Sequence, residues 1–406
     1  MTDARTSEAS LPLKGLRVLE FVQTIMGPSC GLVLADLGAD VIKVEPAEGD
    51  KTRRLSGFAA GFFVTYNRNK RSIAIDLKTE AGRDLVYRMV EQADIVTENF
   101  APGTMDRLGC GYDALSKINP RLIYCSLKGF LSGPYENRQA LDEVVQFMGG
   151  LAYMTGPRGR PLRAGASVID VLGGTFGALA ILAALRERDQ TGRGQLVKSA
   201  LYESTTYLMA QHMAGSVIAG KPVPPLPERW GAWAIYEPFE TADGKQIFVG
   251  ITSDNHWRRF CERFDRPDLL ADPELKTNEQ RVAARPRIQP IVADVVKRLN
   301  SEDFLRICEE MNIPFAPVAR PEDLFDDPQL NAEGRMMQTM LPDGRTLKLP
   351  RLPIELDGHD LGLRRQPPLP GEHTREILRE MGLGEAEIAD LEGRSIVATK
   401  SRPAAE

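Results

Sequence analysis

The first 130 residues alternate short apolar runs with longer stretches of helical periodicity. Residues 16–21 (LRVLEF) form such a run, as in a strand covered on both faces. A Gly-Pro turn follows. Residues 29–37 then predict a helix that Gly38 stops. Residues 39–45 (ADVIKVE) predict a second strand, 71–76 (RSIAID) a third, 95–98 a fourth and 122–126 a fifth, with an amphipathic helix over 79–92. Strands separated by helices of about 10–15 residues predict βαβ units and a parallel sheet. Ligands on such sheets sit in the loops beyond the C-terminal strand ends. The strongest helical pattern covers 171–188, and a second helix is predicted over 197–212. Residues 217–231 (VIAGKPVPPLPERWG) hold four prolines and predict a linker. The runs IYEPFET and KQIFVGI flank Asp243-Gly244 and predict a hairpin. Helical patterning continues to about residue 311. A Pro-rich return, LPRLPIEL, leads to a last helix in GEHTREILREMG.

A chain of 406 residues exceeds one ordinary core, so two domains are expected. The net charge of −5 argues against a nucleic-acid binder, which needs a basic surface, though local basic clusters can still bind a small polyphosphate. The five cysteines are scattered with no CxxC pair, and the four histidines are dispersed. This predicts no metal site and a reducing cytoplasmic location. The N-terminal ten residues are polar, unlike a signal peptide. The most apolar stretch, 171–185, falls short of the ~20 residues a spanning helix needs, so it predicts a buried helix and no membrane association.

Three segments could carry chemistry. Asp170 stands in AGASVIDVLGGTFGALAILAAL, where strand-like residues give way to a helix. Such an aspartate is either a helix N-cap or a nucleophile beside free first-turn amides. Glycines 173, 174 and 177 would then let a ligand approach. NRNKRSIAIDLK (67–78) places Lys70, Arg71 and Lys78 around a strand, as a solvated basic edge or a phosphate-contacting patch. ENFAPGTMDRLG (98–109) is a βα loop followed by Arg107. The loop 22–28 lacks GxGxxG, so no dinucleotide fingerprint is present.

In order and spacing, these blocks resemble the family III CoA-transferases, the CaiB/BaiF family. The matching residues are LKGLRVLEF, LADLGADVIKVEP, NRNKRSIAIDLK, ENFAPGTMDRLG, NPRLIYCSLKGF, ALDEVVQFMGG, IDVLGGTFGALAILAAL, TGRGQ and PPLPGEHTREIL. The resemblance spans roughly residues 13–390. It implies an α/β fold, with a large Rossmann-like domain built from both chain ends around a smaller α+β domain, in an interlocked, ring-like homodimer. The resulting boundaries are a disordered tail (1–12), the large domain (13–215), a linker (216–230), the small domain (231–330), the return to the large domain (331–395) and a C-terminal tail (396–406). The resemblance also implies that Asp170 attacks an acyl-CoA and carries covalent anhydride and aspartyl-CoA intermediates, with CoA as substrate and no resident cofactor. It places CoA contacts at Gln23, Thr24, the stretch from Ile75 to Lys78, Asn99, Phe100, Ala101, Arg107 and Lys128. Asp142 matches an acidic position near the active site, where a structural role is an equal expectation.

Two other activities stand against this one. The family's α-methylacyl-CoA racemases carry a histidine before the acidic position matching Asp142. Here that residue is Leu141, which cannot move a proton. A non-catalytic CoA-thioester-binding protein is the second. Within the transferases, the Arg229-Trp230-Gly231 segment resembles that of dicarboxylate-using members such as succinyl-CoA:glutarate CoA-transferases. Arg229 is then a partner for a distal carboxylate, or simply a linker residue.

Overall fold

The computed structural model describes residues 11–228 and 231–400. The chain divides into two compact units, one built from residues up to 227 and from 332 onward, the other from 228–331.

The larger unit is a sheet with helices on both faces. Its strands in chain order are β1 (Arg17–Phe21), β2 (Asp40–Glu45), β3 (Lys70–Ile75), β4 (Ile95–Glu98), β5 (Ile123–Lys128) and β6 (Leu196–Ala200). They lie in the order β3-β2-β1-β4-β5-β6, all parallel, and a short strand, Val397–Ala398, adds antiparallel to the outer edge of β3. This is the doubly wound order, with its switch point between β1 and β4. Side chains alternate between two apolar layers, Leu19, Phe21 and Val96 on one face and Val18, Ile95 and Ile123 on the other. The second layer is closed by α1 (Met26–Asp36), and the first by α2 (Glu80–Glu91). Beyond β5 come α3 (Asp142–Met148), α4 (Val168–Thr191) and α5 (Leu201–Ala219).

Four expectations are corrected. Gly27-Pro28 is not a turn but the first turn of α1, where proline's missing N–H has no helical partner to lose. Residues 196–200 are a strand, recruited by parallel pairing to β5, and the helix begins only at Leu201. That helix runs to Ala219 and ends on Gly220 at φ 63°, so the first residues of the expected linker are helical. The chain ends are also more ordered than expected. Leu11 is buried in the core and Leu13 N–H donates to the Leu37 carbonyl at 2.9 Å, while Ile396 and Val397 are buried. The rest of the two expected tails, 1–10 and 401–406, lies outside the described residues.

Helix α4 is apolar and 24 residues long, enough by length and composition to cross a membrane. One face of it packs through Gly173, Gly174, Gly177, Ala178 and Ile181 into the layer it shares with α1, the arrangement of a core helix.

The smaller unit is a three-stranded antiparallel sheet, β7 (Ile235–Glu240), β8 (Gln246–Ile251) and β9 (Phe315–Pro317), covered by amphipathic helices. β7 and β8 form the hairpin expected around Asp243-Gly244. Its core holds Trp257, Phe260, Ile288, Val292 and Phe304. In the larger unit a ribbon of β10 (Met336–Met340) and β11 (Thr346–Pro350) precedes the Pro-rich return.

Candidate active site

At the switch point, β1 ends at Phe21 and releases the loop 22–25. Thr24 there has φ 67°, a left-handed conformation that a β-branched residue adopts only under constraint. The constraints are side chains beneath the loop. Lys43 Nζ, fully buried, donates to the Val22 carbonyl at 2.8 Å and pairs with Asp50 at 3.0 Å. Asn99 accepts from Gln23 N–H and donates to the Gln23 carbonyl, both at 2.8 Å. Thr24 N–H donates to Thr52 Oγ1 at 2.9 Å, and that hydroxyl donates to Asp50 at 2.7 Å. Gln23, Thr24 and Asn99 are thus brought together as one rigid loop.

The neighbouring candidates are divided. Lys128 Nζ donates to Glu98 and to the Phe100 carbonyl, each at 2.6 Å, which pins the turn after β4. Ala101 and Arg107 are exposed, with Arg107 Nη2 donating to Thr104 Oγ1 at 2.9 Å. Lys78 is also exposed. Ile75 has its side chain in the core, so any ligand contact there would have to come from its backbone. The expected basic patch does not form. Lys70 is fully buried on Glu20 at 2.7 Å, and burial presses its ammonium down to about 8. Arg71 is locked among Asp40, Glu376 and Glu380. Arg229 lies outside the described residues.

Asp170 is not at a strand-to-helix junction. Residues 156–167 are irregular, Ser167 is the N-cap of α4, and Asp170 is the third helical residue. The capping duty belongs to Asp142, whose Oδ2 accepts from Ile169 N–H at 2.9 Å and from Asp170 N–H at 3.0 Å. Gln146 donates to its other oxygen. Two consequences follow. These first-turn amides are committed to Asp142 and are not free to bind an oxyanion. The Asp170 carboxylate, relieved of capping, accepts no hydrogen bond from a described residue. It is half-buried at the C-terminal edge of the sheet, because α4 crosses antiparallel to the strands before β6. Burial, then repulsion from Asp142 and Glu143, pushes it up to about 7, with Arg163 pulling the other way.

The glycines after Asp170 serve packing rather than ligand approach. A Cβ on Gly174 would stand 2.0 Å from Ser29 Oγ and 2.5 Å from the Met26 carbonyl, and one on Gly173 2.7 Å from Met26 Cε. They let α4 press against the first turn of α1, which follows directly on the 22–25 loop. Tyr66 is a neighbour that sequence reasoning missed. Burial and then the Asp170 charge raise its phenol above the usual value. An aromatic residue ending a short apolar helix carries no signal of such a position. Among the described residues, no three His, Cys, Asp or Glu side chains converge on a metal-sized site.

The sequence profile of CoA-transferase family III matches residues 13–374. The chain belongs to this family. It is 36% identical over 383 residues to a succinate–glutarate CoA-transferase of Agrobacterium fabrum, covering 91% of this chain and 96% of that protein. It is 35% identical over 392 residues to a succinyl-CoA:mesaconate CoA-transferase of Haloarcula hispanica, covering 92% and 97%. Among solved structures, a CaiB/BaiF family protein from Brucella suis superposes with a TM-score of 0.82 at 34% identity, covering 91% of this chain and 99% of that one. This family III member is therefore a CoA-transferase enzyme, acting on acyl-CoA and carboxylate substrates, with an α/β fold.

Proposed function

We propose that this transferase moves CoA from succinyl-CoA to a dicarboxylic acid through covalent intermediates on Asp170. The carrying observation is the division of labour between two aspartates, in which Asp142 caps α4 and leaves the Asp170 carboxylate poorly solvated and without a hydrogen bond from any described residue. A desolvated carboxylate is a stronger nucleophile, and at about 7 it is substantially ionised at neutral pH. Asp170 attacks the thioester carbonyl, forming an acyl-aspartyl anhydride and expelling CoA thiolate. The thiolate attacks the aspartyl carbonyl of the anhydride, releasing the donor carboxylate and leaving an aspartyl-CoA thioester. The acceptor carboxylate repeats the sequence in reverse. Nucleophile and exchanged acids are all carboxylates, so the aspartyl-CoA thioester is close in free energy to the donor and product thioesters. The anhydrides between them lie uphill and are consumed at once by the thiolate or carboxylate beside them, and no resident cofactor is needed.

In this reading CoA lies along the Gln23–Thr24 loop, the Asn99–Ala101 turn, Lys78, the backbone at Ile75, Arg107 and Lys128. The active form is a homodimer, a reading supported by the exposed apolar side chains of α5, among them Tyr207, Val217 and Ile218. Its location is cytoplasmic, in keeping with five free, buried thiols. The test is steady-state transfer from succinyl-CoA to glutarate. Asp170→Asn should fall to the background rate while still binding CoA, and retained turnover would refute the assignment.

A further inference from the structure

Arg163 lies on the irregular segment before α4. Its Nε donates to the Ala164 carbonyl at 2.9 Å, and Nη1 pairs with Glu143. Nη2 stands 4.0 Å from Asp142 Oδ1, beyond hydrogen-bond reach. Since Asp142 Oδ2 is 3.0 Å from the Asp170 nitrogen, the guanidinium lies within about 9 Å of that atom. A diacid of four or five carbons spans about 4–5 Å between its carboxyl carbons. The Arg163 charge also acts on the Asp170 carboxyl itself, so the two groups share one locality, and a diacid with one end at Asp170 has the other within the guanidinium's range. The partner that holds Arg163 is itself a carboxylate on a half-exposed side chain, with Glu143 43% exposed against 26% for Arg163. Glu143 stands on the first turn of α3 and can turn outward to water, returning the guanidinium fork to an incoming carboxylate of the same shape.

We propose that Arg163 binds the distal carboxylate of the dicarboxylate substrate and that Glu143 occupies the guanidinium as a placeholder until substrate displaces it. This rests on the CoA-transfer reading above and assigns its acid selectivity to a different residue from Arg229. A purely structural ion pair would respond alike to the loss of either member. A placeholder responds with opposite signs.

The experiment compares wild type with Arg163→Gln, Arg163→Lys and Glu143→Gln at pH 8.5, above the value of about 7 to which Asp170 is pushed. The readouts are KM for glutarate and kcat/KM for valerate, its monoacid counterpart, or the inhibition constant of valerate where turnover is undetectable. Arg163→Gln should raise KM for glutarate about 10–100-fold and leave the valerate value within a few-fold. Arg163→Lys should recover part of the loss, and Glu143→Gln should lower KM for glutarate. Equal losses for both acids, no loss for glutarate, or an unchanged or raised KM in Glu143→Gln would overturn the proposal. Trapping of Asp170 with saturating succinyl-CoA and hydroxylamine in each variant separates the two layers. Labelling with unaltered selectivity sinks only the Arg163 assignment, whereas no labelling of the wild type sinks the covalent chemistry beneath it.

Discussion

Replacing Asp170 with Asn should stabilise the ligand-free protein at pH 8 and leave it unchanged at pH 4. In the unfolded chain this carboxyl titrates near 4, and in the folded chain it is pushed up to about 7. The folded state therefore holds a proton that the unfolded state has lost between these values. Stability falls as pH rises through that window, and the full cost is present above about 7. Three units at about 1.4 kcal/mol each give about 4 kcal/mol, and solvent screening of a half-buried group reduces this to roughly 2 kcal/mol. Asparagine has the same shape and no charge, so it escapes the cost. Scanning calorimetry of wild type and Asp170→Asn from pH 4 to 8 should show a Tm difference growing from near zero to about 2–6 °C. A helix cap behaves in the opposite way, since its charge is welcomed by the first-turn amides. An Asn variant less stable than wild type at pH 8, or a Tm difference that ignores pH, would refute the reasoning.

Asp142→Asn keeps a carbonyl oxygen for the α4 amides but removes the nearest like charge, so the acidic limb of the kcat/KM–pH profile should move below 7, as read by steady-state assays across pH 5–9. Gly174→Ala drives a methyl into the backbone of α1 at Met26 and Cys30, and should cost about 1–3 kcal/mol by denaturant unfolding. Lys70→Met strands the Glu20 carboxylate in the core, and should cost about 3–5 kcal/mol in the same measurement.

Strands β1 to β5 were legible because each carries a short cluster of apolar residues bounded by turn residues, although buried charges interrupt β2 and β3. β6 was not, because its first residues are exposed or half-exposed at an edge and LVKSA takes its strand identity from pairing with β5 rather than from its own pattern. Asp170 could be singled out by its place before an apolar helix, but the sequence left open whether it caps that helix. The answer depends on Asp142, 28 positions earlier, and so on tertiary packing alone. The charge network is illegible for a similar reason. Lys43 stands in an acidic run and Lys70 in an ordinary basic cluster, while the groups that make their burial tolerable, Asp50 on the turn after β2 and Glu20 on β1, become their neighbours only in the folded chain. The glycines after Asp170 were misread because small residues suit either a ligand or a close helix, and only the position of α1 decides between them.

The central claim, covalent catalysis by Asp170, is tested most directly by intact-protein mass spectrometry after incubation with succinyl-CoA and hydroxylamine, followed by peptide mapping. An aspartyl anhydride or thioester is converted to a hydroxamate, so the wild type should gain that mass on the peptide carrying Asp170 and Asp170→Ala should not. A wild type that turns over substrate yet acquires no hydroxamate, or an Asp170→Ala variant that is labelled to the same extent, would contradict the account.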